Sequence, residues 1–203
     1  MEVTKNIYSM LINGEKVTTE QQRHVINPAT EEVLAYVPVA TKEHLNSAVD
    51  AARNALPSWS AKSLEERGKL ISNFAEKISE KKEELAQLLT MEQGKPLNFA
   101  RAELDMAVHW CREIAKYNLK SEVIEETDQY IVEKTYSPVG VVAAIVPWNF
   151  PILLTMFKVP AALLAGNTII VKPSPYTPLG TLLLGELAQE FFPPGVFNVL
   201  SGD

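Results

Sequence analysis

The sequence is poor in the residues that build disulfides and metal centres. Its 203 residues include one cysteine, Cys111, and three histidines, His24, His44 and His109. A lone cysteine forms no internal disulfide, which is typical of a reducing compartment. These four positions also lack the spacing of a metal-ligand set. We therefore expect a cytoplasmic protein without a structural metal.

Basic charge and long apolar runs are also scarce. Lys and Arg number 19 against 25 Asp and Glu, so the net charge is −6 and no basic excess favours nucleic acid. The longest nearly apolar window, 152–171, is interrupted by Lys158, Pro160, Gly166 and Asn167, unlike a membrane span. The first residues lack a basic stretch followed by a long apolar one, so we expect no secretory signal. Neither nucleic acid nor a membrane is an expected partner.

The first two thirds of the chain predict short ribbons and amphipathic helices. Asn13-Gly14 is a hairpin signal, and a turn at 27–30 precedes a second strand. Thr41 is a helix N-cap, and Pro57 is expected to end that helix. A capping box at 63–66 begins one long helix that ends near Gly94.

A third helix is expected from about Phe99 to Lys120. Its predicted apolar stripe follows helical spacing and consists of Ala102, Met106, Trp110, Ile114 and Tyr117. The segment 128–136 then alternates apolar and charged residues, as a half-exposed strand does.

The last third predicts a parallel sheet. The apolar run 139–146 indicates a strand covered on both faces, followed by a helix from Pro151 to Gly166. A strand at 168–171, a helix at 179–191 and a strand at 196–200 complete a β-α-β-α-β order. The fold class is therefore α/β, with a partial doubly wound (Rossmann-like) parallel sheet behind N-terminal ribbons and helices.

Three regions follow from these patterns. They are an N-terminal ribbon with helices (1–120), a β-ribbon (121–137) and the first half of a dinucleotide-binding sheet (138–203). Because only three core strands are present, we expect an open apolar edge and poor solubility or oligomerisation of the isolated chain. The residues expected to be exposed there are Leu163, Ile169, Ile170 and Val199.

Common nucleotide-binding glycine motifs are absent. The sequence has no G-x-G-x-x-G and no Walker loop, and Gly180 and Gly185 lie within a helical pattern. The loop 147–151 (PWNFP) instead places Asn149 at the carboxyl end of a parallel strand, where ligands bind. Its amide could stabilise an oxyanion, or its side-chain oxygen could cap the following helix.

Two lysines have similar alternatives. Lys172 ends the second buried strand and could bind a ribose or phosphate, or extend into solvent. Lys158, on an otherwise apolar helix, either lines the site or reaches solvent with its ammonium group. Cys111 lies two residues from His109, on a different helix face, so we interpret it as structural.

Several segments together resemble the aldehyde dehydrogenase superfamily. The most specific are 136–151 (YSPVGVVAAIVPWNFP), the downstream Lys158 and 165–174 (AGNTIIVKPS). The segments 26–30 (INPAT), 92–96 (EQGKP) and 193–202 (PPGVFNVLSG) are also similar to this family. The resemblance covers essentially the whole chain.

The resemblance implies roles for individual residues. Asn149 corresponds to the asparagine whose amide completes an oxyanion hole, and Lys158 to a lysine near the catalytic acid–base. Lys172 corresponds to the lysine that contacts the adenosine ribose or its 2′-phosphate. The strand-end segment Ile145, Val146, Pro147 and Trp148 corresponds to residues beside the NAD or NADP cofactor. Ser174, Pro175 and Gly202 complete the cofactor-binding set that the resemblance implies.

The implied reaction is oxidation of an aldehyde to a carboxylic acid. In this family a cysteine thiolate attacks the aldehyde to give a thiohemiacetal, and hydride passes to NAD(P). A water activated by a glutamate then hydrolyses the thioester. Both of these residues lie in a later part of the family's chains, and Cys111 does not match the nucleophile. The complete enzyme is therefore expected to catalyse the reaction, and the 203-residue chain alone is not.

Pro175 departs from the pattern of many NAD-preferring members, which carry glutamate there. Proline removes a negative charge that would repel a 2′-phosphate, so the resemblance implies that NADP is accepted. The ribbon 121–137 further implies a homo-oligomer. The alternatives to an enzyme are a truncated, non-catalytic cofactor-binding or assembly module and a plain α/β domain without a cofactor.

Overall fold

A computed structural model describes residues 8–203. The prediction that the chain has no secretory signal depends partly on residues 1–7, which lie outside the described residues. The elements of residues 8–203, in chain order, are β1 (Met10–Ile12), β2 (Glu15–Val17), β3 (Gln22–Ile26), β4 (Val33–Pro38), α1 (Lys42–Ser60), α2 (Leu64–Glu80), α3 (Lys82–Gln93), α4 (Leu97–Ala115), β5 (Glu122–Glu126), β6 (Ile131–Lys134), β7 (Val141–Ile145), α5 (Pro151–Leu164), β8 (Thr168–Lys172), α6 (Leu179–Ala188) and β9 (Phe197–Val199). In this described part of the chain, no helix combines the length and the apolar character that crossing a bilayer requires.

The central sheet confirms the predicted α/β class. Its strand order is β2-β1-β9-β8-β7, and β7, β8 and β9 are parallel. Helices α5 and α6 are the two crossover connections between these strands. The predicted hairpin at Asn13-Gly14 is present, since β1 and β2 pair on either side of it and both residues have positive φ (54° and 78°).

The predicted exposure of apolar residues at an open edge is wrong on the β9 side of the sheet, because the N-terminal hairpin covers that side. Strand β1 pairs antiparallel with β9, placing Leu11 opposite Val199, so the sheet has five strands and not three. The residues expected to be exposed, Leu163, Ile169, Ile170 and Val199, are all buried. The edge that stays unpaired within residues 8–203 belongs to β7.

Strand β7 is not covered on both faces as predicted. Ala144 is buried, whereas Ala143 and Ile145 on the opposite face are exposed, Ile145 by 72%. At the start of the strand, Val141 packs against a cluster that includes Ala48 and Ala52 of α1, whereas the carboxyl end of the strand stays open.

The predicted helix caps are confirmed, but several helix ends differ. Thr41 and Ser63 are N-caps within capping boxes. Pro57 does not end α1, which continues to Ser60. In this last turn the buried Trp59 donates to the carbonyl oxygen of Leu163 at 3.1 Å, and its packing offsets the cost of a proline within a helix. The predicted helix from Ser63 to Gly94 is two helices that meet at Lys81 (φ −92°, ψ 9°), within a charged stretch that offers no apolar side chain for packing. Helix α6 ends at Ala188.

The predicted apolar stripe of α4 is on the wrong face. Ala102, Met106, Trp110 and Tyr117 are exposed, whereas Ile114 is partly buried against the core, and the helix ends at Ala115 rather than near Lys120. The buried face carries small and medium side chains that allow close packing on α2 and α5. They are Ala100, Leu104, Ala107, Val108 and Cys111, together with the charged Glu103.

Helix α2 connects the helical layer to the crossover helix α5. The guanidinium of Arg67, which is buried, donates to the carbonyl oxygens of Leu164 (2.9 Å), Ser60 (3.2 Å) and Lys62. Gly68 allows α2 to approach α4, since a Cβ there would lie 2.5 Å from the carbonyl oxygen of Ala115. The bond from Arg67 to Leu164 holds the carboxyl end of α5 against α2.

Candidate functional site

The carboxyl ends of the parallel strands bring two predicted site segments side by side. Ile145 and Lys172 are register partners in β7 and β8. The N–H of Val146 donates to the carbonyl oxygen of Lys172 at 3.0 Å, so the two following loops leave the sheet together. Ile145 is largely exposed and Val146 is buried, which leaves the Ile145–Lys172 face open at this edge.

Asn149 does not cap α5, contrary to one of the two alternatives. The N-cap residue is Phe150, and no side chain caps the helix from that position. Asn149 is exposed, and no group of residues 8–203 forms a hydrogen bond with its side-chain amide. The amide is therefore free to donate to a ligand at the sheet edge.

A carboxylate from another helix satisfies the first turn of α5. Oε1 of Glu103, on α4, accepts from the N–H groups of Ile152 (3.0 Å) and Leu153 (3.1 Å). The first N–H groups of a helix have no partner within the helix, and its N-terminus favours negative charge. The side chain of Glu103 is fully buried, so this bond fixes where α5 begins relative to α4.

Lys95 joins this carboxylate to the Asn149 loop. Its ammonium pairs with Oε2 of Glu103 and donates to the carbonyl oxygen of Asn149 at 3.0 Å. The same ammonium lies 4.3 Å from the ring centre of Phe150. The lysine side chain is only 10% exposed.

Glu92 performs the equivalent task for α6. Its two oxygens accept from the N–H groups of Leu179 (2.7 Å) and Gly180 (3.0 Å). Burial raises the pKa of Glu92 to about 8, although the two hydrogen bonds from backbone N–H groups favour the charged form and lower this pKa. The charge of Glu103 also raises this pKa.

The loop after β8 is ordered by local bonds and by a bond to the loop after β7. Lys172 is partly exposed, whereas Ser174 is buried and accepts the N–H of Tyr176 at 3.3 Å. The hydroxyl of Thr177 donates to the carbonyl oxygen of Trp148 at 3.3 Å. The two strand-end loops are therefore directly connected.

A cleft of about 620 Å³ borders these loops. Trp148, Pro175 and Tyr176 line it on the sheet side, and Arg23 lines it from β3. Gly202, after β9, is buried with φ 144°, and a Cβ there would lie 3.3 Å from the backbone nitrogen of Ala40. Only glycine adopts this conformation readily.

Two candidate residues lie apart from this edge. Lys158 is exposed on α5. It lies seven residues after Pro151, the first residue of that helix, which corresponds to roughly 10 Å along the helix axis. Cys111 is buried in the helical layer, and burial raises its pKa to about 12. A thiol that stays protonated is a poor nucleophile, as the structural interpretation of Cys111 predicted.

The residue patterns did not identify Glu92, Lys95 or Glu103 as parts of the site. Glu92 and Lys95 belong to the segment 92–96, which resembles the family, but no pattern indicated a role for either residue. Glu103 lies at helical spacing from the small residues Ala100 and Ala107. A carboxylate among small residues at helical spacing can indicate a buried charge. The apolar stripe predicted for α4 lies on another face of the helix, so Glu103 was expected to face solvent.

These features define an α/β protein with its candidate site at the carboxyl ends of parallel strands. The family model described as aldehyde dehydrogenase family matches residues 16–203. Aldehyde dehydrogenase LUC3 of a Fusarium species is 40% identical over 192 residues, which cover 95% of this chain and 40% of that protein. The chain belongs to the aldehyde dehydrogenase family.

Solved structures agree with this assignment. The NAD+ complex of aldehyde dehydrogenase from Bacillus cereus matches with a TM-score of 0.94 and 38% identity, covering 98% of this chain and 42% of that one. A structure described as an E. coli NADP dependent enzyme matches with a TM-score of 0.94 and 36% identity, with the same coverage. The chain thus spans about two fifths of the length of the relatives it matches.

Proposed function

We propose that the protein containing these residues oxidises an aldehyde to a carboxylic acid with NAD or NADP as the acceptor. The observation that carries the proposal is the exposed Asn149 amide, in the loop that follows β7 where Ile145 pairs with Lys172. Family membership and the relatives that are described with NAD+ or NADP support it.

The residues at this edge fit a dinucleotide. An exposed aliphatic side chain at Ile145 offers an apolar surface, and the Lys172 ammonium beside it offers donors for ribose hydroxyls or a phosphate. Trp148 and Pro175 border the same edge, and Ser174 and Gly202 shape the loops there. When bound, NAD(P) supplies the hydride acceptor.

The proposed task of Asn149 is electrostatic. Its amide donates a hydrogen bond to the oxygen of the aldehyde as that oxygen gains negative charge, and one such donor is worth about 10²–10³ in rate. Lys158, exposed on α5, is proposed to lie near the group that activates water. The nucleophilic cysteine and the general base are proposed to come from the protein beyond residue 203.

The proposal is tested by following NAD(P)H formation from an aldehyde series with the full-length protein. Asn149→Ala should lower kcat by about 10²–10³, and Lys172→Ala should instead raise the KM for the cofactor. Lys69→Ala, at an exposed position on α2, is the control and should change neither. Cofactor binding without turnover of any aldehyde would contradict the proposal and favour a non-catalytic binding module.

Assembly and location belong to the same proposal. We propose a cytoplasmic homo-oligomer in which the β5–β6 ribbon makes subunit contacts. All of its strand residues are exposed, and they include Val123, Ile124, Ile131 and Val132. Light scattering on the full-length protein tests this: Ile124→Glu with Ile131→Glu should shift the mass towards the monomer, and an unchanged mass would contradict it.

A further inference from the structure

We propose that Lys95 is a positioning residue for Asn149, and that the buried Glu103 holds Lys95 in place. This inference rests on the proposed role of the Asn149 amide as an oxyanion donor. It adds that the backbone position from which this amide extends is set by the ion pair of Lys95, in the α3–α4 connection, with Glu103, on α4.

The first step of the argument is that Asn149 has no anchor of its own. Its side chain is exposed and its amide has no partner among residues 8–203. The amide sits at the end of a short side chain, so its position follows the backbone of Asn149. An oxyanion donor needs a fixed position, because its distance from the developing charge determines its effect.

The second step is that three contacts fix this backbone. Before Asn149, the carbonyl oxygen of Trp148 accepts from Thr177 at 3.3 Å. At Asn149, the carbonyl oxygen accepts from Lys95 at 3.0 Å. After Asn149, the first turn of α5 donates to Glu103. Of these groups, only Lys95 contacts residue 149 itself.

The third step is that Lys95 cannot move freely. It lies in the short connection between α3 and α4, with its ammonium between the buried carboxylate of Glu103 and the ring of Phe150. A buried ammonium without these partners would be costly. The pair is therefore a rigid link from α4 to the carbonyl oxygen of Asn149.

Removing Lys95 should disturb the loop more than the fold. Glu103 would keep two N–H donors and the favourable N-terminus of α5, so its charge would not be left without partners. Lys95→Met preserves the length and apolar stem of the side chain. The matched control is Lys82→Met, because Lys82 also joins the α3–α4 region through Asp105, at 2.6 Å, but on the surface.

The experiment combines kinetics and hydrogen exchange on the full-length protein. We expect Lys95→Met to lower kcat about ten- to a hundredfold, below the effect of losing a complete donor, with the KM for NAD(P) unchanged. The double variant Lys95→Met/Asn149→Ala should be no slower than Asn149→Ala, because Lys95 acts through that amide. Lys82→Met should behave as wild type.

Hydrogen exchange provides a readout that does not depend on turnover. The N–H groups of Ile152 and Leu153, which donate to Glu103, and of Leu154, which donates to the carbonyl oxygen of Phe150, should exchange at least about threefold faster in Lys95→Met, and α2 should be unaffected. Unchanged exchange, or a kcat loss that adds to that of Asn149→Ala, would overturn the inference. A wild-type protein without aldehyde oxidation would instead refute the proposed function, and the exchange result would still decide whether Lys95 fixes the loop.

Discussion

Glu92 and Glu103 are buried carboxylates on successive helices, and each accepts two N–H groups from the first turn of a crossover helix. Glu92, on α3, contacts α6, and Glu103, on α4, contacts α5. Both crossover helices follow strand-end loops that carry candidate site residues. The layer of N-terminal helices therefore holds the two crossover helices at the points where the strand-end loops end.

Glu92 should make stability depend on pH. Its folded-state pKa is raised from 4.5 to about 8, so the folded protein retains a proton that the unfolded chain releases between these values. Its contribution to stability is fully present below the unfolded-state pKa and is lost as pH rises through about 8. The free energy of unfolding should fall by up to about 1.4 kcal/mol per pH unit in this window.

Urea unfolding at pH 5 to 8 measures this slope. Glu92→Gln should flatten it, while Glu80→Gln, at an exposed carboxyl on α2, should leave it unchanged. Equal slopes for wild type and Glu92→Gln would show that Glu92 is charged throughout.

Arg67 should be the most sensitive charged position of α2. Arg67→Met keeps the apolar stem but leaves three carbonyl oxygens without their donor. The bond to Leu164 is buried and the other two are partly buried, so leaving these acceptors unsatisfied should lower the free energy of unfolding by about 3 kcal/mol. Lys69→Met, two residues away and exposed, should change it by less than about 0.5 kcal/mol. A small loss for Arg67→Met would mean that water replaces the guanidinium.

Gly68→Ala tests close packing between α2 and α4. In an open helix this change would stabilise by about 1 kcal/mol through helix propensity. Here the added Cβ would meet the Ala115 carbonyl oxygen at 2.5 Å, so we expect a net destabilisation of about 2 kcal/mol. Asn73→Ala, on the exposed face of the same helix, should be neutral or stabilising. Thermal unfolding compares the two, and a raised Tm for Gly68→Ala would disprove the steric argument.

Pro175→Glu should change cofactor choice in the full-length enzyme. The new carboxylate would accept from ribose hydroxyls and repel a 2′-phosphate, so kcat/KM for NADP should fall at least about tenfold relative to NAD, equivalent to about 1.4 kcal/mol. Pro175→Gln, which can accept hydrogen bonds without a charge, separates the two effects. If wild type uses NAD and does not use NADP, the interpretation of Pro175 is wrong.

The sequence predicted the elements that local signals define. Caps at Thr41 and Ser63, the Asn13-Gly14 turn and the presence of strands β7 and β8 depend on neighbouring residues, and the structure confirms them, although β7 is covered on one face only towards its carboxyl end. The parallel order of the last three strands was equally clear, because helices separate them.

What the sequence did not predict depends on distant contacts. The pairing of Leu11 with Val199 joins strands that lie far apart in the sequence, and no local pattern indicates it. On α4, the large side chains of Met106 and Trp110 suggested a buried face, but small residues allow closer helix packing. That error also concealed Glu103. The roles of the individual site residues remain predictions.

The pairing of β1 with β9 also has a consequence for folding during synthesis. The β1–β2 hairpin leaves the ribosome before the other elements of residues 8–203, whereas its partner strand β9 is the last of these elements to emerge. Until then, the apolar side chains of β1, Met10, Leu11 and Ile12, have no sheet to join. Contacts so far apart in sequence form slowly, and exposed strands aggregate. The nascent chain is therefore most vulnerable while α1 to α6 are being made, and this is the interval in which a chaperone would matter.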